Sequence, residues 1–207
     1  DLLRNSKAMG CFYVESPAMR MLLEKLKCDD YLTLVAASSI IRPGVASSGM
    51  MKAYIERFHM NKNGVKIESI HPLMDELMAD TFGVMVYQED VIKVANGFGK
   101  LTLTEADVLR RGMSGKYRSR EEFQKVKDKF FENCKALYEQ HVTDRVWYEI
   151  ESFAGYSFAK GHSASYAVES YQSLFLKAHY PLEFMVGVIN NFGGFYKTEF
   201  YFHEARM

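Results

Sequence analysis

The stretch of the chain with the densest set of reactive side chains is GYSFAKGHSASYAVESYQ, residues 155–172. It places Lys160, His162, Ser163 and Tyr166 around a glycine-broken loop that leads into a helix. An apolar core has no use for so many polar groups, whereas a nucleotide site needs positive charge for phosphate and flat faces for base or sugar. A helix N-terminus adds N–H groups and a positive dipole. The segment therefore predicts a binding site for phosphate or polyphosphate.

Residues 110–120 form a second basic element, upstream of the first. The segment contains five cations and no acid: Arg110, Arg111, Lys116, Arg118 and Arg120. Gly112 and Gly115 would let the backbone approach an anion and direct N–H groups at it. The alternative to a phosphate-binding role is that these cations form an ordinary solvent-exposed basic face before a long helix. The glycine spacing and the presence of the other basic-aromatic element favour a phosphate-binding surface.

The sequence predicts no catalytic residue and no metal site. The second basic element is not a P-loop, because Arg110 stands where the first glycine is required and Tyr117 replaces the Ser or Thr that would hold magnesium. Carboxylates are scattered over predicted helix faces, whereas two-metal phosphoryl transfer needs a convergent set. The histidines His59, His71 and His179 share no metal-ligand spacing.

Composition indicates a soluble globular protein of 207 residues, with 48% hydrophobic and 25% charged residues. The formal net charge is zero, so any attraction to nucleic acid must come from local patches. Cys11, Cys28 and Cys134 form no C-x-x-C pair, which argues against zinc and disulfides and favours a reducing, cytoplasmic location. No apolar run approaches the roughly 18 residues of a membrane span, and no signal peptide is predicted. Because the chain begins at Asp1, we expect a fragment of a longer protein.

Helix signals dominate the pattern. Ser16 before Pro17 predicts the start of a first helix, and a capping box at Ser119 predicts a long helix over 120–138. Thr143 is predicted to cap the next helix, which ends at Gly155.

Further helices are predicted over 88–95, over 104–111 with Gly112 as its stop, over 163–179, and over 182–189. Near the N-terminal third, Val65 and Ile67 are predicted to pair briefly as a strand, and the segment from residue 193 onward to be irregular.

An ordered series of motifs extends along most of the chain. The motifs are FxxES at 12–16, RPG at 42–44, HPL at 71–73, GVMVYQE at 83–89, EADVLRR at 105–111, FAGY at 153–156, KxHSAxY at 160–166, LKAHYP at 176–181 and EFM at 183–185. In these residues the chain resembles the alpha subunit of bacterial DNA polymerase III, the family-C replicative polymerase.

The resemblance implies a mainly α fold, with a multi-helix fingers domain and a small mixed α/β N-terminal part. Residues 1–65 would be the C-terminal part of the palm and its junction, and residues 66–207 the helical fingers domain. Full-length relatives are DNA-directed DNA polymerases, so the implied function is to bind the incoming deoxynucleoside triphosphate (dNTP) during template-directed synthesis.

The resemblance also implies roles for individual residues. Arg110 and Arg111 would approach the triphosphate, and together with Lys116 and Lys160 they would neutralise its charge. Four further residues complete the implied dNTP site: His162, Ser163 and Tyr166 around the nucleotide pocket, and Arg42 of the RPG loop. At two positions this chain has Gly where the family commonly has another residue, Gly112 and Gly161, and both are expected to loosen loops near the substrate.

The implied cofactor is Mg²⁺, bound in the full-length enzyme by palm aspartates that lie upstream of this chain. The fragment itself is expected to bind no metal and to be inactive alone. Implied partners are the DNA primer–template, the incoming dNTP and other replicase subunits, such as the sliding clamp, through regions outside this chain; no membrane is expected.

Two other functions fit the basic surface less well. One is a non-catalytic helical module that binds nucleic acid through residues 110–120, and the other is a helical scaffold for protein partners. A dNTP pocket should prefer triphosphate to monophosphate, whereas a surface that binds the nucleic-acid backbone should prefer long DNA and weaken steeply with salt.

Overall fold

The computed structural model describes residues 1–41, 49–113, 119–154 and 158–206. These residues fold almost entirely as helices. In chain order they are α1 (Pro17–Leu26), α2 (Tyr31–Ile40), α3 (Met50–Lys62), α4 (Pro72–Leu77), a 3₁₀ turn (Ala79–Thr81), α5 (Gln88–Gly97), α6 (Leu103–Met113), α7 (Arg120–Lys135), α8 (Gln140–Ala154), α9 (Lys160–His179), α10 (Pro181–Asn190) and α11 (Thr198–Glu204).

The predicted mainly α fold is confirmed, but the predicted mixed α/β N-terminal part is wrong for the residues described. Across those ranges no strand forms, and the β-type pairing present is an isolated parallel bridge between Tyr87 and Phe158. Val65 is 52% exposed in a segment without regular secondary structure. A β-branched residue favours a strand only where a neighbouring strand supplies packing, and here none does.

The chain divides into two compact units. We name Arg42–Lys160 the central unit, and Asp1–Ile41 with Gly161–Met207 the terminal unit.

The central unit is built around a contiguous apolar core. Three large aromatic side chains meet there, Phe98 directly after α5, Phe130 of α7 and Trp147 of α8, and each is at most 5% exposed. Tyr138 stacks on Phe98 with ring centroids 4.0 Å apart. This core includes Ala106 and Leu109 of α6, so it fixes the helix that carries Arg110 and Arg111.

Gly112 does not end its helix, contrary to the sequence prediction. It lies inside α6, is buried, and is closely approached by the ring of Phe123 from α7. A Cβ at this position would clash with that ring, so glycine permits tight packing of α6 against α7 rather than loosening a loop. Gly161, also predicted to lie in a loop, is in the first turn of α9.

The terminal unit contains a buried polar network beside the apolar side chains of α1 and α2. The carboxylate of Glu15, in a residue only 8% exposed, accepts hydrogen bonds from the backbone N–H of Gly10 (2.8 Å), the N–H of Phe195 (2.7 Å) and the hydroxyl of Tyr201 (2.9 Å). The Tyr201 hydroxyl in turn accepts from the N–H groups of Gly194 and Tyr196. These bonds hold the segment before α11. The sequence predicted an irregular chain from residue 193 onward, which is wrong for Thr198–Glu204, since these residues form α11.

Helix starts follow the local cap signals in most places. Ser16 caps α1 and Ser119 caps α7, each accepting a backbone N–H three residues ahead, as predicted. The prediction for Thr143 is wrong: α8 begins at Gln140, and Thr143 is buried within it, donating its hydroxyl to the Glu139 carbonyl. A helical residue of this type commonly bonds back to the preceding turn.

Candidate functional site

Arg110 lies in the last turn of α6, where Asp107 and Gln88 accept hydrogen bonds from its guanidinium. Its Nε and Nη2 donate to Asp107 Oδ1 at 3.0 and 2.8 Å, and its Nη1 donates to Gln88 Oε1 at 3.1 Å. The side chain is 24% exposed. A guanidinium bonded on two edges has a defined orientation, because its donors are fixed in one plane.

Arg111 shares the same counter-ion. Its Nε lies 3.0 Å from Asp107 Oδ2, so one carboxylate pairs with both arginines of the motif. Asp107 stands three and four residues before them, which is the spacing that places side chains on one helix face. Two guanidinium groups around a single carboxylate leave a net positive charge at the end of α6.

Lys160 begins α9 and is held through both its backbone and its side chain. Its N–H donates to the Glu89 carboxylate at 3.0 and 3.2 Å. Its Nζ lies 3.2 Å from Asp80 Oδ2 and 5.3 Å from the centroid of the Tyr87 ring. The ammonium is therefore placed by an ion pair and a cation–π contact, each modest at this exposure.

The first turn of α5 contacts both basic elements. Gln88 accepts from Arg110, and its own N–H donates to the Phe158 carbonyl at 3.0 Å; Glu89 accepts from Lys160. Asp90 is 1% exposed and accepts the N–H groups that precede the helix, those of Val86 and Tyr87, both at 2.8 Å. Burial raises the pKa of Asp90, and these hydrogen bonds oppose the rise.

Three further predicted residues lie in the terminal unit. The Ser163 and Ser39 hydroxyls are 2.6 Å apart and buried, so the Ser163 side chain joins α9 to α2. Tyr166 packs edge-on against Tyr13, with centroids 4.8 Å apart, and lies 4.2 Å from the ring of His162. The structure thus brings His162 and Tyr166 together, and the role of all three in nucleotide binding stays a prediction.

The remaining predicted residues, Arg42 and Lys116, lie outside the described residues. Within the described ranges, no group of three or more His, Cys, Asp and Glu side chains is arranged to hold a metal ion. Among the helices described, none is both long and apolar enough to cross a membrane.

Sequence reasoning missed the residues that hold the cations in place. Asp107 had a usable signal, because an acid at i−3 and i−4 from two arginines predicts ion pairing. Gln88 and Glu89 gave no such signal. Gln88 is 22 positions from its partner Arg110, and Glu89 is 71 positions from its partner Lys160.

Comparison with known proteins gives a consistent result. Residues 1–137 match the family described as the bacterial DNA polymerase III alpha subunit finger domain. Three relatives carry the name DNA polymerase III subunit alpha. The relative from Aquifex aeolicus is 38% identical over 184 residues (88% of this chain, 15% of the relative), that from Chlamydia muridarum is 36% identical over 190 residues (91% and 15%), and that from Escherichia coli K12 is 36% identical over 192 residues (91% and 16%). The chain thus spans about 15% of the length of these relatives, and the predicted family is confirmed.

Proposed function

We propose, since the chain belongs to the finger-domain family of the bacterial DNA polymerase III alpha subunit, that its central unit binds the triphosphate of the incoming dNTP. Arg110, Arg111 and Lys160 carry this role. The observation that supports it best is that a single turn, the start of α5, holds both the Arg110 side chain and the backbone of Lys160.

The chemistry of these residues suits a triphosphate. Guanidinium groups form short, paired hydrogen bonds with phosphate oxygens and stay charged at any physiological pH. Fixed cations also stabilise the charge that develops on a transferring phosphoryl group without having to reorganise during the reaction. Asp107 orients Arg110 and Arg111 while leaving the pair net positive.

Five further residues, outside the described residues of the central unit, would contribute to the dNTP site. Lys116 and Arg42 would add positive charge at the triphosphate, and His162, Ser163 and Tyr166 would line the nucleotide pocket. We also keep the division into a palm junction over residues 1–65 and a fingers domain over 66–207 as a proposal; the family match covers residues on both sides of it.

In the complete polymerase, we propose that palm aspartates outside this chain hold Mg²⁺ and carry out nucleotidyl transfer, so that this chain alone is inactive. The DNA primer–template would be the second substrate. Other replicase subunits, including the sliding clamp, would bind through other regions, and the enzyme would work in the bacterial cytoplasm.

The test is steady-state primer extension by the full-length polymerase carrying Arg111→Ala, with dNTP and primer–template titrated separately. Loss of one charge-assisted phosphate contact costs about 1.5–3 kcal/mol, so KM for dNTP should rise roughly 10- to 150-fold with DNA affinity nearly unchanged. Lys125→Ala is the matched control, because it removes an exposed cation from α7 of the same unit. If DNA affinity falls instead, with the dNTP requirement unmoved, residues 110–120 contact the DNA backbone and the nucleic-acid-binding alternative is correct.

A further inference from the structure

We infer that Gln88 and Glu89, the first two residues of α5, are positioning residues for the dNTP site. Gln88 aims the guanidinium of Arg110, and Glu89 fixes the residue at which α9 begins. The inference rests on the proposed function, since it concerns how the proposed triphosphate ligands are held.

The three consecutive side chains of this turn bond different partners. Asp90 is buried and satisfies two backbone N–H groups that precede the helix, which is a task of folding. Gln88 and Glu89 are only partly buried, and their side chains bond outward to Arg110 and Lys160. The two are therefore not needed to close the helix N-terminus.

Gln88 offers Arg110 a neutral hydrogen-bond acceptor. Arg110 is bonded on one side by the carboxylate of Asp107 and on the other by the neutral amide oxygen of Gln88. A carboxylate at position 88 would also accept the hydrogen bond, but it would cancel more of the charge that a triphosphate needs. A neutral acceptor orients the guanidinium without lowering its attraction for an anion.

The backbone of Lys160 is held by the carboxylate of Glu89. Both Glu89 oxygens lie within 3.2 Å of its backbone nitrogen, and the Gln88 N–H bonds the Phe158 carbonyl two residues earlier. The start of α5 therefore holds two backbone groups at the entrance to α9. Because the Lys160 ammonium extends from this fixed point, a shift in the backbone would move the charge away from its ligand.

The decisive experiment is a double-mutant cycle in the full-length polymerase, with Gln88→Leu, Arg110→Ala and the pair, read as KM for dNTP and kcat separately. We expect Gln88→Leu to raise KM about three- to tenfold. In the Arg110→Ala background the same change should have no further effect, because the group it aims is gone. Gln140→Leu is the matched control: Gln140 also begins a helix, α8, and also bonds one side chain, that of Asp144, at 2.8 Å.

A charge variant separates positioning from simple packing. Gln88→Glu keeps an acceptor for Arg110 and adds a negative charge, so KM for dNTP should rise and the rise should shrink with added salt. A role in folding alone would show no such salt dependence. For Glu89, Glu89→Gln keeps an amide oxygen for the Lys160 N–H and should retain most of the affinity, whereas Glu89→Leu should raise KM several-fold.

The outcomes distinguish this inference from the function on which it rests. If Arg110→Ala leaves KM for dNTP unchanged, the proposed function itself fails. If Arg110→Ala raises KM but Gln88→Leu has no effect, or has the same effect with and without Arg110, Gln88 does not position that residue and the inference is wrong.

Discussion

The central unit has a buried aromatic cluster, whereas the terminal unit has a buried network of charged and polar groups beside the apolar side chains of α1 and α2. In the central unit, aromatic side chains such as Phe98, Phe130 and Trp147 pack together with aliphatic ones in a buried cluster. In the terminal unit, the carboxylate of Glu15 satisfies three donors, and the buried Lys177 pairs with Glu204 at 2.6 Å. An apolar core tolerates a change of shape but loses stability with each methylene removed. A buried polar network depends in addition on every donor having its acceptor, because an unsatisfied buried group costs free energy.

The largest effect we expect is in the apolar interior. Phe130→Ala removes a fully buried ring that lies 5.2 Å from Trp147, centroid to centroid, and should lower the free energy of unfolding by about 3–5 kcal/mol. Trp147 is the only tryptophan of the chain, so its fluorescence during urea unfolding reports on the central unit. Leu103→Ala, at a side chain that is 66% exposed, is the control and should change stability by less than about 0.5 kcal/mol. A loss below about 1.5 kcal/mol at Phe130 would mean that this core repacks around the gap.

An intermediate effect should follow from a change that keeps volume but removes an acceptor. In Glu15→Gln the side chain keeps its shape, but an N–H₂ group replaces one of the oxygens that now accept from Gly10, Phe195 and Tyr201. Loss of a charge-assisted bond costs about 1.5–3 kcal/mol. Gly10 bonds one carboxylate oxygen and Phe195 the other, so amide hydrogen exchange should accelerate roughly 10- to 150-fold at whichever of the two faces the new N–H₂ group.

Two matched variants sharpen that test. Glu24→Gln makes the same chemical change at an exposed position of α1 and should have little effect. Leu109→Met is a volume-conserving change in the central core and should cost less than about 1.5 kcal/mol. If Glu15→Gln costs as little stability as Leu109→Met, the buried network around Glu15 is no more sensitive to the loss of one acceptor than the central core is to a volume-conserving change.

The fold was predictable from sequence wherever the signal is local. Ser16 and Ser119 mark helix starts because a cap is a local interaction, in which the Ser side chain accepts the backbone N–H three residues ahead. In contrast, α2 shows no amphipathic pattern: its residues from Thr33 to Ile40 are all buried, so apolar periodicity could not reveal it. Its only local signal is Asp30, whose side chain caps the helix by accepting the N–H of Thr33.

The candidate site was predictable only in part, for the same physical reason. Clusters of cations are visible in a sequence because charge belongs to the residue itself, and this placed Arg110, Arg111 and Lys160 among the candidates. The acceptors that orient Arg110 and Lys160, Gln88 and Glu89, belong to a different helix and become neighbours only when the central unit folds. Side-chain orientation is a tertiary property, so residue type alone could not predict it.

The smallest effect we expect concerns the surface of the central unit, where polar contacts are exposed to water. Glu105 bonds Lys129 at 2.6 Å and the N–H and hydroxyl of Thr102, both at 2.9 Å, and these contacts lower the pKa of Glu105 to about 2. A lowered folded-state pKa adds stability above the unfolded value, near 4.5, and that stability disappears as the pH falls toward 2. Because Lys129 is 47% exposed, the contribution should not exceed about 1 kcal/mol.

The free energies of urea unfolding of Glu105→Gln and the parent chain should therefore differ by up to this amount at pH 7, and the difference should narrow between pH 4.5 and pH 3. A difference that stays constant over that range would show that the carboxylate charge contributes nothing, and that exposed polar contacts in this unit act only through their shape.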